Sequence, residues 1–121
     1  MKTRSLGAVL VVAFAVAACG ESELHGAMEG MGESYKSMKE APALVDMKAE
    51  LDVFKAELEI ARQQAVKPEH QAAFDEGLEK VGQLTAQLTL AVDSGDINAA
   101  RALLEELRDV RKQYHEKLGV K

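Results

Sequence analysis

Residues 93–118 read D-S-G-D-I-N-A-A-R-A-L-L-E-E-L-R-D-V-R-K-Q-Y-H-E-K-L. Gly95 is typical of a helix terminator, and Asp96 is typical of the N-cap that starts the next helix. After Asp96, mostly apolar residues recur at steps of three and four, which is the period of one helical face. This stripe holds Ile97, Ala100, Leu104, Leu107, Arg111, Tyr114 and Leu118. The stretch therefore predicts the end of one helix, a tight connection and a second helix with one face toward a core.

The same period recurs in three earlier segments. Its positions are Leu24, Met28, Met31, Tyr35 and Met38 in the first segment, Leu44, Met47, Leu51, Phe54, Leu58 and Ala61 in the second, and Phe74, Leu78, Val81, Leu84, Leu88 and Ala91 in the third. Breaks fall at Ala41-Pro42 and Lys67-Pro68, and we expect Pro42 in the first turn of the second helix. Short connections make neighbouring helices antiparallel. The predicted fold is all-α, an antiparallel up-down-up-down four-helix bundle.

Composition and motifs limit the possible functions. The chain has 121 residues, enough for one domain, and its net charge of −5 argues against nucleic acid as a partner. Its single Cys excludes an intramolecular disulfide and any Cys-rich metal site. A di-iron bundle needs paired E-x-x-H motifs, but Ser22, Lys67 and Lys112 stand three positions before the histidines. No hydrolase or nucleotide-binding fingerprint is present, so we do not expect an enzyme.

The first residues have the layout of an export signal. Lys2 and Arg4 precede an apolar run that is too short to span a bilayer comfortably. The run ends in V-A-A-C at residues 16–19, which resembles the bacterial lipoprotein box. This resemblance implies a signal peptide at residues 1–18, a lipidated Cys19, a tether at 19–23 and a bundle at 24–121. The alternative is an ordinary signal peptide with a chance Cys near its cleavage site.

A lipidated Cys19 would place the protein in the periplasm, anchored to a membrane. Residues 1–18 hold two basic and no acidic side chains, so the mature chain has a net charge of −7. Such an acidic module would meet the membrane through its lipid anchor only. Gly20 rather than Asp follows the Cys, which by the enterobacterial sorting pattern favours the outer membrane over the inner.

Met28 and His115 are predicted to lie at the same end of the bundle. Met28 is about one turn inside the first helix, and His115 is near the end of the last helix, so their depths match to within about a turn. A thioether and an imidazole that face each other form an axial pair for haem iron. The alternative is a core methionine beside an unrelated edge histidine.

Two motifs resemble the cytochrome b562 family. They are Leu24-x-x-x-Met28-Glu29 near the start and Leu107-x-x-x-Arg111-x-x-Tyr114-His115-x-Lys117 near the end, and the likeness extends over residues 24–121. The resemblance implies one non-covalent haem b at the open end of the bundle, with Met28 and His115 as iron ligands. Phe74 and Leu78 match the wall of the haem site, although Leu78 stands where an aromatic is usual. Met31 is the rival sulfur ligand, but choosing it would need a gap before the second helix.

Related c-type bundles carry C-x-x-C-H on the last helix. Arg111 and Tyr114 occupy the two cysteine positions here, so the resemblance implies a b-type haem. Arg111 either pairs with a haem propionate, lies along the haem edge or is simply solvated. The expected function is electron transfer by a monomer that meets an unidentified redox partner protein. The alternative is a haem-free envelope lipoprotein that binds a partner protein or a metal.

Overall fold

The computed structural model describes residues 23–120. Four helices account for most of this range: α1 spans residues 23–40, α2 spans Leu44–Arg62, α3 spans Pro68–Asp93 and α4 spans Ile97–Leu118. No strand occurs within it, and none of its helices has the length and apolarity needed to cross a membrane. The predicted signal peptide (residues 1–18), Cys19 and the tether up to residue 22 lie outside the described residues, as does Lys121.

Contacts between helix ends show that neighbouring helices run antiparallel. Gln64, just after α2, donates from Nε2 to Oε2 of Glu23 at the start of α1, over 3.3 Å. At the opposite end, Lys48 Nζ near the start of α2 lies 3.5 Å from Asp93 Oδ1 at the end of α3. The predicted up-down-up-down bundle is therefore confirmed. We call the end that holds the start of α1 and the end of α4 the open end, and the other the closed end.

The connection between α3 and α4 has the predicted chemistry. Gly95 has a φ of +78°, a left-handed conformation that side chains with a Cβ disfavour. The carboxylate of Asp96 accepts a hydrogen bond from the backbone N–H of Ala99 over 3.0 Å. Gly119 ends α4 in the same left-handed conformation, with a φ of +71°. Both predictions at this connection, the glycine terminator and the aspartate N-cap, are confirmed.

The expected position of Pro42 is wrong. Helix α2 begins at Leu44, because its N-cap residue Ala43 is still extended, with φ −141° and ψ 160°. Pro42 therefore lies in the connection before the first turn. Pro68 instead occupies the start of α3, where its fixed φ and missing N–H cost nothing.

The core is packed most densely toward the closed end. The four largest side chains that are almost completely enclosed all lie in that half of the bundle; they are Met38, Met47, Leu51 and Leu88. Toward the open end, by contrast, Leu24, Met28 and Leu118 pack on the core but remain partly exposed. Side chains fill the interior of the bundle at the closed end but less completely at the open end. The bundle therefore has room for a ligand at its open end.

Candidate functional site

A cavity of about 790 Å³ lies at the open end. All four helices contribute to its walls, including Met28 from α1, Phe54 from α2, Phe74 from α3 and Leu107 from α4. Cofactor sites are typically concave, mostly apolar and about 300–1,000 Å³ in volume. The cavity therefore has the size and lining of a site for one cofactor.

All five residues that the sequence suggested as cofactor ligands or neighbours line this one cavity. They are Met28, Phe74, Leu78, Arg111 and His115. Phe74 and Leu78 are buried, Met28 and His115 are half-buried, and Arg111 is exposed. Folding thus brings Met28 of α1 and His115 of α4 to the walls of the same apolar space.

Met31 lies on the same cavity as Met28. It is one turn further along α1 and is only 8% exposed, whereas Met28 is half-buried. Two methionines of one helix therefore line the cavity, and in the sequence both belong to the same stripe. The more deeply packed of the two, Met31, also belongs to the hydrophobic core.

The surroundings of His115 favour a neutral imidazole. Burial lowers the pKa of His115 below its ordinary value, and the positive charge of Arg111 lowers it further. A neutral imidazole keeps a nitrogen lone pair that can bind a metal ion. His115 is thus electronically suited to act as a ligand at neutral pH.

Tyr35 adds a polar atom to the cavity that sequence reasoning missed. Its hydroxyl oxygen is enclosed, and it has no hydrogen-bond partner among residues 23–120. Burial raises the pKa of Tyr35, so the hydroxyl keeps its proton and remains a donor. The sequence placed Tyr35 on an apolar stripe; the available signal was that a buried tyrosine normally needs a partner for its hydroxyl.

Gly77 and Tyr114 form a close contact between α3 and α4 beside the cavity. A Cβ atom built on Gly77 would lie 2.9 Å from both Cγ and Cδ1 of the Tyr114 ring. Both residues line the cavity, and Tyr114 directly precedes His115. Sequence reasoning missed this role of Gly77, although a glycine inside a long helix, which costs about 1 kcal/mol, was a signal.

Three charged side chains surround the Tyr114 ring. The Tyr114 hydroxyl donates a hydrogen bond to Glu76 Oε1, and Lys80 Nζ and Lys117 Nζ each lie 3.9 Å from that same oxygen. The two ammonium groups are also 5.4 and 5.3 Å from the ring centroid, within the range of cation–π attraction. The hydrogen bond from Tyr114, and then the charge of Lys117, lower the pKa of Glu76.

Within the described range, no three His, Cys, Asp or Glu side chains converge in a way that could hold a metal ion.

Comparison with known proteins identifies the family. The family model described as Cytochrome b562 matches residues 23–118, which is most of the chain. A comparison with curated proteins gives no significant match. The matched region contains all four helices and every residue of the cavity wall discussed above. This chain therefore belongs to the cytochrome b562 family.

Proposed function

We propose that this protein is an electron carrier that binds one haem b non-covalently in the open-end cavity, with Met28 and His115 as the axial ligands. Membership of the cytochrome b562 family supports a haem-binding electron-transfer bundle. One observation supports the finer assignment: Met28 of α1 and His115 of α4 line the same apolar cavity.

The residues present suit a haem. Met28 and His115 supply a sulfur and a nitrogen donor, the pair that other haem electron carriers use. Phe74 and Leu78 present buried apolar surface that would keep water from the cofactor. Arg111 places a guanidinium on the cavity wall, where it can pair with a propionate or lie along the macrocycle. When bound, haem iron supplies a one-electron couple.

Two features favour a non-covalent carrier over a covalent or catalytic haem protein. The only cysteine is Cys19, and Arg111 and Tyr114 occupy the positions where c-type relatives carry thiols, so thioether attachment at that motif is impossible. With Met28 and His115 both bound to iron, no coordination position is left for a substrate. Electron transfer needs no such position.

The proposed location comes from the sequence alone. The V-A-A-C box at residues 16–19 supports cleavage before Cys19, lipidation of Cys19 and a periplasmic protein anchored to a membrane. Gly20 favours the outer membrane. We further propose that the protein acts as a monomer and exchanges electrons with a partner protein.

A visible spectrum of the full chain, produced with ample haem, tests the function. Reduced protein should show the sharp α and β bands of a low-spin, six-coordinate haem. The His115→Ala variant should lose these bands, whereas His70→Ala, a matched control that does not line the cavity, should keep them. A colourless wild-type protein under these conditions would contradict the proposal and favour the haem-free lipoprotein.

A further inference from the structure

Four residues contact Tyr114 from several sides. Together with Tyr114 they form what we call the Tyr114 cluster: Glu76, Gly77, Lys80, Tyr114 and Lys117. The backbone of Gly77 lies beneath the ring, close enough that a Cβ there would come within 2.9 Å of it. The carboxylate of Glu76 accepts from the hydroxyl, and the two ammonium groups lie 5.4 and 5.3 Å from the ring centroid. A buried ring with contacts of this kind has little freedom to rotate.

The cluster joins α3 to α4 near the point where α4 ends. Helix α4 stops at Leu118, one turn after Tyr114, and helix ends fray unless other contacts hold them. Among the helices that the structure describes, the bond from Tyr114 to Glu76 is the only side-chain hydrogen bond that links α4 to another helix. The ion pair between Lys117 and Glu76, at 3.9 Å, reinforces the same link.

His115 follows Tyr114 directly, so the rotation of α4 at Tyr114 also sets the direction of the His115 side chain. Successive side chains leave an α-helix about 100° apart. If the Tyr114 ring is fixed against α3, the imidazole is directed toward the cavity that it lines. If the ring is released, the final turns of α4 can rotate or fray, and the imidazole loses its fixed direction.

We infer that Glu76 is a positioning residue for His115, which it holds toward the cavity through its hydrogen bond with Tyr114. This inference rests on the proposed haem site. Glu76 does not line the cavity and acts only through the tyrosine. It therefore contributes to retention of the cofactor and to its potential without touching it.

Four variants of the haem-loaded full chain test this role: Tyr114→Phe, Glu76→Ala, Glu76→Gln and the double variant Tyr114→Phe/Glu76→Ala. Haem dissociation is measured as transfer to excess apomyoglobin, and the midpoint potential is measured by redox titration. Tyr114→Phe and Glu76→Ala should each release haem about five- to tenfold faster and shift the potential, because each removes the same hydrogen bond. The double variant should release haem no faster than Glu76→Ala alone, because Glu76→Ala already removes both the hydrogen bond and the ion pair with Lys117. Glu76→Gln keeps an oxygen acceptor and should stay near the wild type.

The test includes a control variant at the closed end, and its results distinguish failure of this inference from failure of the proposed function. Asp93→Ala removes the ion pair with Lys48 at the closed end and should leave haem release unchanged. Wild-type release rates and potentials in both Tyr114→Phe and Glu76→Ala would overturn the inference, even if these variants unfold more easily. The proposed function would then still stand. If the wild type takes up no haem, the proposed function fails, and this inference fails with it.

Discussion

Gly77 on α3 lies directly beneath the ring of Tyr114 on α4. A Cβ at position 77 would be 2.9 Å from two ring carbons, a separation that real side chains essentially never show. The Tyr114 ring is fixed by the backbone of α4 and by the side chains around it. It therefore cannot move aside as the end of a flexible side chain can. Gly77 is thus the residue that allows α3 and α4 to approach each other beside His115.

The variant Gly77→Ala should therefore destabilise the protein. Overpacking typically costs about 1–3 kcal/mol, which here opposes a gain in helix propensity of about 1 kcal/mol. Gly26→Ala is the matched control, because a Cβ at this position of α1 meets nothing within 4 Å. Urea unfolding of the apoprotein should show a lower free energy of unfolding for Gly77→Ala and a higher one for Gly26→Ala. If both variants are stabilised, the contact between Gly77 and Tyr114 is not tight.

The fold could be predicted because its signals are local. Each helix carries its own apolar stripe, and Gly95 and Asp96 mark a boundary through their own backbone and side-chain chemistry. The error at Pro42 has the same origin: proline is compatible with a first turn and also with the connection before it. Only the extended conformation of Ala43 places it outside the helix.

The site could be predicted only in part. The topology placed Met28 and His115 at one end, since chain direction and helix length determine which residues share a depth. The link between Glu76 and Tyr114 could not be found this way, because Glu and Lys on an outer helical face usually indicate a solvated surface. Which glutamate a tyrosine on another helix can reach depends on how each helix is rotated about its own axis. The sequence does not specify these rotations.

Met28→Ala and Met31→Ala should have different effects. If Met28 is the sulfur ligand, Met28→Ala should lower the midpoint potential, because thioether ligation favours ferrous iron, and should open a coordination position. Met31→Ala should mainly lower stability, by about 2–5 kcal/mol, because this side chain is only 8% exposed. Redox titration and urea unfolding of both variants give the comparison. The opposite pattern would assign the ligand to Met31.

Tyr35→Phe should stabilise the apoprotein. The Tyr35 hydroxyl is enclosed without a partner among residues 23–120, and removing an unpaired buried polar group should raise the free energy of unfolding by about 1 kcal/mol. Tyr114→Phe is the matched control, because it removes a hydroxyl that does have a partner and should lower stability. Urea unfolding of the wild type and both variants gives the comparison. A free energy of unfolding for Tyr35→Phe below that of the wild type would contradict the prediction.

The stability of the apoprotein should depend on the ionisation of Glu76. The hydrogen bond from Tyr114 lowers the pKa of Glu76 in the folded protein below its ordinary value. Such a carboxylate stabilises the fold above the unfolded pKa, and its contribution is lost as pH falls through the folded pKa. As the pH is lowered from about 5, the urea midpoint of the wild type should therefore fall more steeply than that of Glu76→Gln. Parallel curves for the two proteins would rule out this linkage.

If Cys19 is lipidated as proposed, the open end should face the membrane. Residue 23 already belongs to α1, and the four steps from Cys19 to that residue span at most about 3.6 Å each, so the start of α1 lies within roughly 15 Å of the anchor. Met28 and His115 lie at that end, so a redox partner should either belong to the membrane or be small enough to enter the gap.

A flexible spacer of about ten residues after Glu21, with a reach of roughly 15–20 Å, should change the rate at which native membranes reduce the haem. The spacer alters the distance and orientation of the open end but leaves residues 23–120 unaltered, so haem content and spectrum should stay the same. Cys19→Ser is the control for the anchor, because it should leave the protein soluble or unprocessed. If the spacer variant is anchored, fully loaded with haem and reduced at the wild-type rate, the short tether has no part in electron transfer.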